Sequence, residues 1–249
     1  MSGTAVVVGA SGAFGGAIVA RLIAAGLTVV AVARSLRGLE TLIGNHPGVI
    51  PCTADIGDDE AIPRIAAALP PGPVRIAVHG PGLSSPGSVT TVATDALAQA
   101  VNLKAGGFLR LARAVDGRLE AGSRLVAIAG HYGLEPTAYA AAPGVANAAL
   151  IALSRQISLA LGARGITAHA IAPGPADTDR LRRIAEAEAV RQGTTAETIL
   201  DNMRAESSTG VFTNPEDVAW AVALLLAPEA AAMTGSTLML DAGRRRGLP

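Results

Sequence analysis

The stretch Ala5-Val6-Val7-Val8-Gly9-Ala10-Ser11-Gly12-Ala13-Phe14-Gly15-Gly16 decides the fold. A short β-branched run passes straight into a glycine-rich loop and then into a segment of helical composition, residues 13–25. Glycines at such a junction permit a tight turn and a close approach of backbone to a pyrophosphate. The helix that follows offers unpaired N–H groups and the positive end of its dipole. Gly9, Ser11, Gly12, Phe14 and Gly15 are therefore candidate cofactor contacts.

The pattern repeats outward from there. Near-continuous apolar runs at residues 5–8, 28–33, 49–53, 74–78, 125–129, 166–171 and 237–240 alternate with helical stretches at 13–25, 62–69, 94–114, 145–161 and 215–226. Strands that are apolar on both faces, separated by helices, predict an α/β fold with a doubly wound parallel sheet. No linker, repeat or low-complexity tract interrupts residues 1–249, so a single domain is expected. The longest departure from alternation is the polar, Arg/Glu-rich segment 177–213. After a late strand, such an insertion reads as a small helical lid over the site.

Composition narrows the function classes. The 249 residues are 50% hydrophobic and carry 20 basic and 20 acidic residues, which excludes intrinsic disorder and gives no field to attract nucleic acid. One cysteine, Cys52, cannot make an internal disulfide or a thiolate zinc site, and four scattered histidines predict no metal. No stretch reads as the ~20-residue apolar span a membrane requires, and residues 1–20 lack the positive n-region of a signal peptide. A soluble, cytoplasmic protein is expected.

At the end of the second apolar run, Ala33 stands where an acidic residue would grip a ribose 2′-hydroxyl, and Arg34, Ser35 and Arg37 follow. Arginines suit a 2′-phosphate, which favours NADP(H) over NAD(H).

By these residues the whole chain resembles the short-chain dehydrogenase/reductase family, whose domain is a Rossmann fold. Several further motifs carry the resemblance: Asp55-Ile56, similar to the adenine contact; Asn102 in Val101-Asn102-Leu103; Pro173-Gly174 with Thr178, similar to the loop over the nicotinamide; and the C-terminal pattern from Asn214 to Gly243. After the fourth run, His79-Gly80-Pro81-Gly82 departs from the family's Asn-Asn-Ala-Gly but keeps Gly82, and Gly80 and Gly82 are further candidate cofactor contacts. The resemblance implies an NADP(H)-dependent oxidoreductase reducing a small organic carbonyl, as a homodimer or homotetramer.

The catalytic pattern departs from the family. Ile128-Ala129-Gly130-His131-Tyr132 places Gly130 at the serine position. Tyr139-Ala140-Ala141-Ala142-Pro143 keeps the tyrosine of Tyr-x-x-x-Lys and loses the lysine. A phenol with no lysine beside it keeps a pKa near ~10. That impairs alcohol oxidation, which needs the phenolate, more than carbonyl reduction, which needs the neutral acid. Pro143 predicts a helix that starts late or kinks there. The resulting catalytic candidates are Tyr139, Asn102 and His131. His131 can act as hydrogen-bond donor or acid, or be a loop histidine bonded to backbone. Lys104, the single lysine, is two residues beyond Asn102 and so points roughly 200° away from it on a helix. His79 and His169 read as structural, and Asp177 and Asp179 as turn or cap residues. The alternatives to reduction are a catalytically inactive subunit paired with an active relative of the same family, and non-redox chemistry in the same pocket using His131 or Tyr132.

Overall fold

The seven apolar runs become seven strands: β1 (Thr4–Val8), β2 (Thr28–Ala33), β3 (Ile50–Thr53), β4 (Val74–His79), β5 (Arg124–Ile128), β6 (Thr167–Pro173) and β7 (Thr237–Leu240). In the computed structural model, which describes residues 3–83 and 87–247, they form one all-parallel sheet in the order β3-β2-β1-β4-β5-β6-β7. Residues 1–2, 84–86 and 248–249 of the expected domain lie outside the described residues. The order reverses between β1 and β4. The loops leaving the C-terminal strand ends there diverge to opposite faces and open a crevice, the place where such sheets bind ligands.

Both faces are covered because the strands are apolar on both. Ala5 and Val7 point to one side, against α1 (Ala13–Ala24) and α9 (Pro215–Leu224). Val6 and Val8 point to the other, against α3 (Ala61–Ala68), α5 (Gly107–Val115) and α6 (Ala141–Leu161), with α4 (Thr94–Val101) packed on α6. The short α2 (Glu40–Asn45) lies between β2 and β3. Each buried Val, Leu or Ile contributes about 1.5–3 kcal/mol of transfer free energy.

Three local outcomes shape the site. The expected helix 94–114 is continuous from α4 to α5, but Asn102–Gly106 forms one wide π turn in which the Gly107 N–H donates to the Asn102 carbonyl. The helix expected to start late begins at Ala141, ahead of Pro143. There the Ala141 N–H donates to Gly87 O at 2.9 Å and the Gly144 N–H to Ala140 O at 2.8 Å, so Pro143 sits in the first turn, where its missing donor costs no helical bond. The same helix corrects the membrane reading, since residues 141–164 are long and apolar enough to span one, with mean hydropathy 1.3. They instead seat Leu150 and Ile157 in the core against the sheet.

Segment 177–213 folds as α7 (Asp179–Gln192) and α8 (Ala196–Ala205), which share a small apolar cluster of Ala185, Ala189 and Ile199. Its two ends are tied together, with Asp177 N–H on Thr213 O at 2.9 Å and Thr213 N–H on Pro175 O at 3.1 Å. It therefore leaves and rejoins the sheet side at one point.

Phe108, fully buried between α5 and the sheet, anchors the second face. Phe108→Ala is expected to cost about 3–5 kcal/mol, read as a lower urea midpoint with an unchanged slope.

Candidate active site

The crevice begins at the glycine loop. Gly9 has φ +82°, and a Cβ there would lie 2.9 Å from the Pro81 nitrogen. A Cβ on Gly15 would lie 2.2 Å from Gly9 O and 2.6 Å from Ala10 Cα. Strand end, loop and first helical turn are thus in backbone contact, and any side chain at Gly15 would push them apart. Gly12 caps the start of α1 without a side chain, and Ser11 and Gly12 are exposed. This bare helix start, with its unpaired N–H groups, is a cradle that fits a pyrophosphate. Around it stand the other candidate cofactor residues. Arg34 and Arg37 are exposed just beyond β2, and Ile56 is buried beyond β3. Asp55 Oδ1 accepts from the Gly57 N–H at 2.9 Å. Gly80 N–H donates to Val8 O at 2.9 Å, holding the β4 exit against β1.

At the other end, Gly174 packs so tightly on β7 that a Cβ would lie 2.9 Å from Asp241 Cα. Thr178 is the N-cap of α7, accepting from the Leu181 N–H at 3.4 Å. The cap is therefore Thr178 itself. The flanking Asp177 and Asp179 pair with Arg182 instead, at 3.1 and 3.6 Å. Arg180, in the first turn of α7, reaches back across the crevice, with Nη1 3.1 Å from where a Gly82 Cβ would stand.

Asn102 and Lys104 do diverge around their turn, but it is the lysine that turns inward. Asn102 Nδ2 donates to Gly57 O at 2.9 Å, and its Oδ1 accepts from Arg110 at 3.0 Å, so its amide serves the loop after β3. Lys104 is 4% exposed and its Nζ donates to Ile128 O at 2.8 Å, at the end of β5. In the β4–β5 ladder that carbonyl faces residue 81, and Pro81 has no N–H to give it. The ammonium takes the vacant place. Burial, and secondarily the charge of Arg180, lowers the lysine pKa to about 7.

The catalytic candidates separate. Tyr139 lies two residues ahead of α6, is 55% exposed, and its hydroxyl is 3.1 Å from that of Tyr132. It does not share a helical face with residue 143. The α6 side chain that reaches Gly130 is Asn147, whose Nδ2 would be 2.9 Å from a Cβ on that glycine. Pro143 is one turn earlier on α6. His131 is buried and stacked on Tyr132 with ring centroids 4.0 Å apart. Burial pushes its pKa down to about 4 against a backbone hydrogen bond to Pro173, so the imidazole is neutral at pH 7. Burial, then the hydrogen bond to Tyr139, pushes the Tyr132 phenol up, keeping it neutral. With Tyr139, Glu206, Arg244 and Arg246 these two residues line a polar cavity of about 100 Å³. Arg244 is held on the floor by Glu206 and by Met203 O at 3.0 Å.

His79 and His169 are structural in placement. His79 Nε2 lies 3.1 Å from Leu103 O, and His169 Nε2 lies 2.9 Å from Thr167 Oγ1. Burial lowers their pKa values to about 3 and about 4. Among the described residues no group of His, Cys, Asp and Glu could hold a metal.

Sequence reasoning missed Asn147, Arg180 and Arg244, and the inward turn of Lys104. Two of these carried a signal: a lone lysine inside an apolar helix and an asparagine inside an alanine run both ask for a buried partner.

Comparison with known proteins agrees with this architecture. Residues 9–245 match the family model described as enoyl-(acyl carrier protein) reductase. The chain is 31% identical over 262 residues to the short-chain dehydrogenase/reductase eriH of Hericium erinaceus, covering 97% of both chains. It is 27% identical over 246 residues to the 3-oxoacyl-(acyl carrier protein) reductase FabG of Salmonella typhimurium, covering 96% of both. The fold superimposes on actinorhodin polyketide ketoreductase, crystallised with NADPH, with a TM-score of 0.89 and 27% identity over 98% of this chain and 97% of that one. The motif order, the seven-stranded parallel sheet and these matches together place the chain in the short-chain dehydrogenase/reductase family.

Proposed function

We propose that this chain is an NADPH-dependent reductase of small organic carbonyls, acting in the cytoplasm as a homodimer or homotetramer. The observation that carries the reading is the backbone-only contact of Gly15 with Gly9 and Ala10, which leaves the α1 N-terminus open to a pyrophosphate. Gly9, Ser11, Gly12, Phe14 and Gly15 would hold that group, Arg34 with Arg37 the 2′-phosphate, and Asp55 with Ile56 the adenine. Gly80, Gly82, Pro173, Gly174 and Thr178 would border the nicotinamide end. NADPH supplies the hydride when bound. The ketoreductase activity named for FabG and for the actinorhodin protein, and the NADPH bound in the latter, agree with this choice.

The protein's own part is to orient the carbonyl and deliver a proton. The Tyr132–Tyr139 phenol pair supplies it. Tyr132 is held neutral and Tyr139 stands at the solvent edge, so a proton given up at the carbonyl side is replaced from water. His131, neutral, packs beneath Tyr132 and fixes its ring. Such a site supplies the neutral phenol that reduction uses and withholds the phenolate that oxidation needs. The second reading, a cofactor-holding subunit without turnover, is favoured by the absence of a hydroxyl at Gly130.

Calorimetry is expected to show NADPH binding at least about tenfold tighter than NADH, a difference of about 1.4 kcal/mol, and Arg34→Ala/Arg37→Ala erasing the preference. Equal affinity for both nucleotides in the unaltered protein would refute the 2′-phosphate assignment, and turnover of no carbonyl with NADPH bound would select the second reading. A separate expectation concerns pH. Lys104 titrates at about 7 when folded and near its ordinary 10.5 when unfolded. Between these values the unfolded chain binds the extra proton, so stability rises with pH through this window. The melting temperature should therefore rise from pH 7 to 10 relative to that of Lys104→Met. Parallel curves for the two proteins would refute the burial of a titrating amine.

A further inference from the structure

Gly130 has φ 178° and ψ 153°, extended backbone that any residue can adopt. Its conformation does not call for glycine; its surroundings do. The space a side chain would use is filled by the Asn147 carboxamide, whose Nδ2 lies 2.9 Å from the position of a Cβ. Three residues on, a Cβ on Gly133 would lie 2.8 Å from the Asn147 carbonyl carbon and 2.9 Å from both the Asn147 Cβ and the Ala148 nitrogen. The turn 131–133 thus lies flush on α6 through two glycines, and the Asn147 side chain is clamped between turn and strand end. Lys104 holds Ile128 O two residues before Gly130 and so fixes the strand end from below.

Asn147 is 6% exposed, and its Oδ1 is buried without a hydrogen-bond partner among the described residues. An unpaired buried amide oxygen costs about 1–3 kcal/mol, and asparagine is a weak helix former beside the alanines around it. No hydrogen bond to Oδ1 among the described residues offsets the first of these costs. Its Nδ2 is aimed at Gly130, where the family resemblance calls for a hydroxyl and this chain has none.

We propose that Asn147 is a catalytic residue, its carboxamide N–H donating to the substrate carbonyl oxygen in place of the missing hydroxyl at Gly130. The inference rests on the reductase reading. As the carbonyl gains electron density on reduction, a fixed amide donor stabilises the oxygen more in the transition state than in the ground state, without reorganising. The Oδ1 of the same amide is left to accept from a donor on the bound ligands or from a water they trap. The donor and the proton source are then different groups, since Asn147 approaches from α6 and the Tyr132–Tyr139 pair from the loop before it.

The test uses the full-length protein with saturating NADPH and the best substrate from a carbonyl panel. Asn147→Ala is expected to lower kcat about 100-fold, with KM and the NADPH dissociation constant changed by less than about threefold, the signature of a contact made in the transition state. Gly130→Ser alone should be impaired by the clash with Asn147. Gly130→Ser/Asn147→Ala should recover most of the lost kcat, because the double change restores a hydroxyl in the space the amide vacates. Asn147→Asp, of equal size, guards against misfolding. It should fold, bind NADPH and lose kcat increasingly as pH rises through the carboxyl's titration, since a carboxylate repels the developing oxyanion. A kcat for Asn147→Ala or Asn147→Asp within about threefold of the unaltered enzyme would overturn the role of Asn147 alone. An unaltered enzyme that binds NADPH and reduces nothing would overturn the reductase reading and, with it, this role.

Discussion

The close passage of Gly15 over Gly9 and Ala10 is the constraint on which the rest of the crevice depends. A Cβ on Gly15 would sit 2.2 Å from Gly9 O, so no other residue brings the first turn of α1 this near to the end of β1. That nearness lets α1 lie along the sheet beside α9 and seals one face with Ile18, Val19, Leu22, Val218 and Val222. It also leaves the helix start without a capping side chain at the point where the strand order reverses. The packing and the open helix start come from the same missing methyl groups.

A second, more local constraint organises the other end. Pro81 at the exit of β4 cannot supply a ladder donor to Ile128, and the π turn at Asn102–Gly106 brings Lys104 in to supply it. The price is a buried ammonium whose pKa falls to about 7. The buried histidines are also pushed toward neutrality, to about 3 at His79, beside Lys104, and to about 4 at His131 and His169. Those imidazoles are neutral at pH 7, and the charge beside the crevice is that of Lys104, Arg180 and Arg244. A single hydrogen-bond donor there acts at low effective dielectric, where its effect on a developing oxyanion is largest.

The residues around Gly130 are rearranged together. Tyr139 pairs with Tyr132 over a polar cavity instead of standing on α6, and the face of α6 toward Gly130 carries Pro143 and Asn147. Each departure fits its neighbour. A serine at 130 would collide with the Asn147 amide, and a proline at 143 is tolerated because α6 starts two residues before it.

The amino-acid sequence by itself determined the layers and the nucleotide crevice. Apolar runs such as residues 28–33 have nowhere to go but the middle of a sheet covered on both faces, and Gly9, Gly12 and Gly15 are readable because glycine's lack of a Cβ is a property of the residue alone. The inward turn of Lys104, the start of α6 and the meeting of Asn147 with Gly130 were decided only by tertiary structure. Spacing correctly set Lys104 on the opposite side of its helix from Asn102, yet only packing against β4 and β5 chose which of the two faces inward. The four-residue interval from Tyr139 to Pro143 matched a helical motif, but α6 begins after Tyr139, and an interval carries no direction until the helix that would give it one has formed. Contacts between residues 17 apart, such as Gly130 and Asn147, depend on how a turn lies against a helix, and no local pattern encodes that.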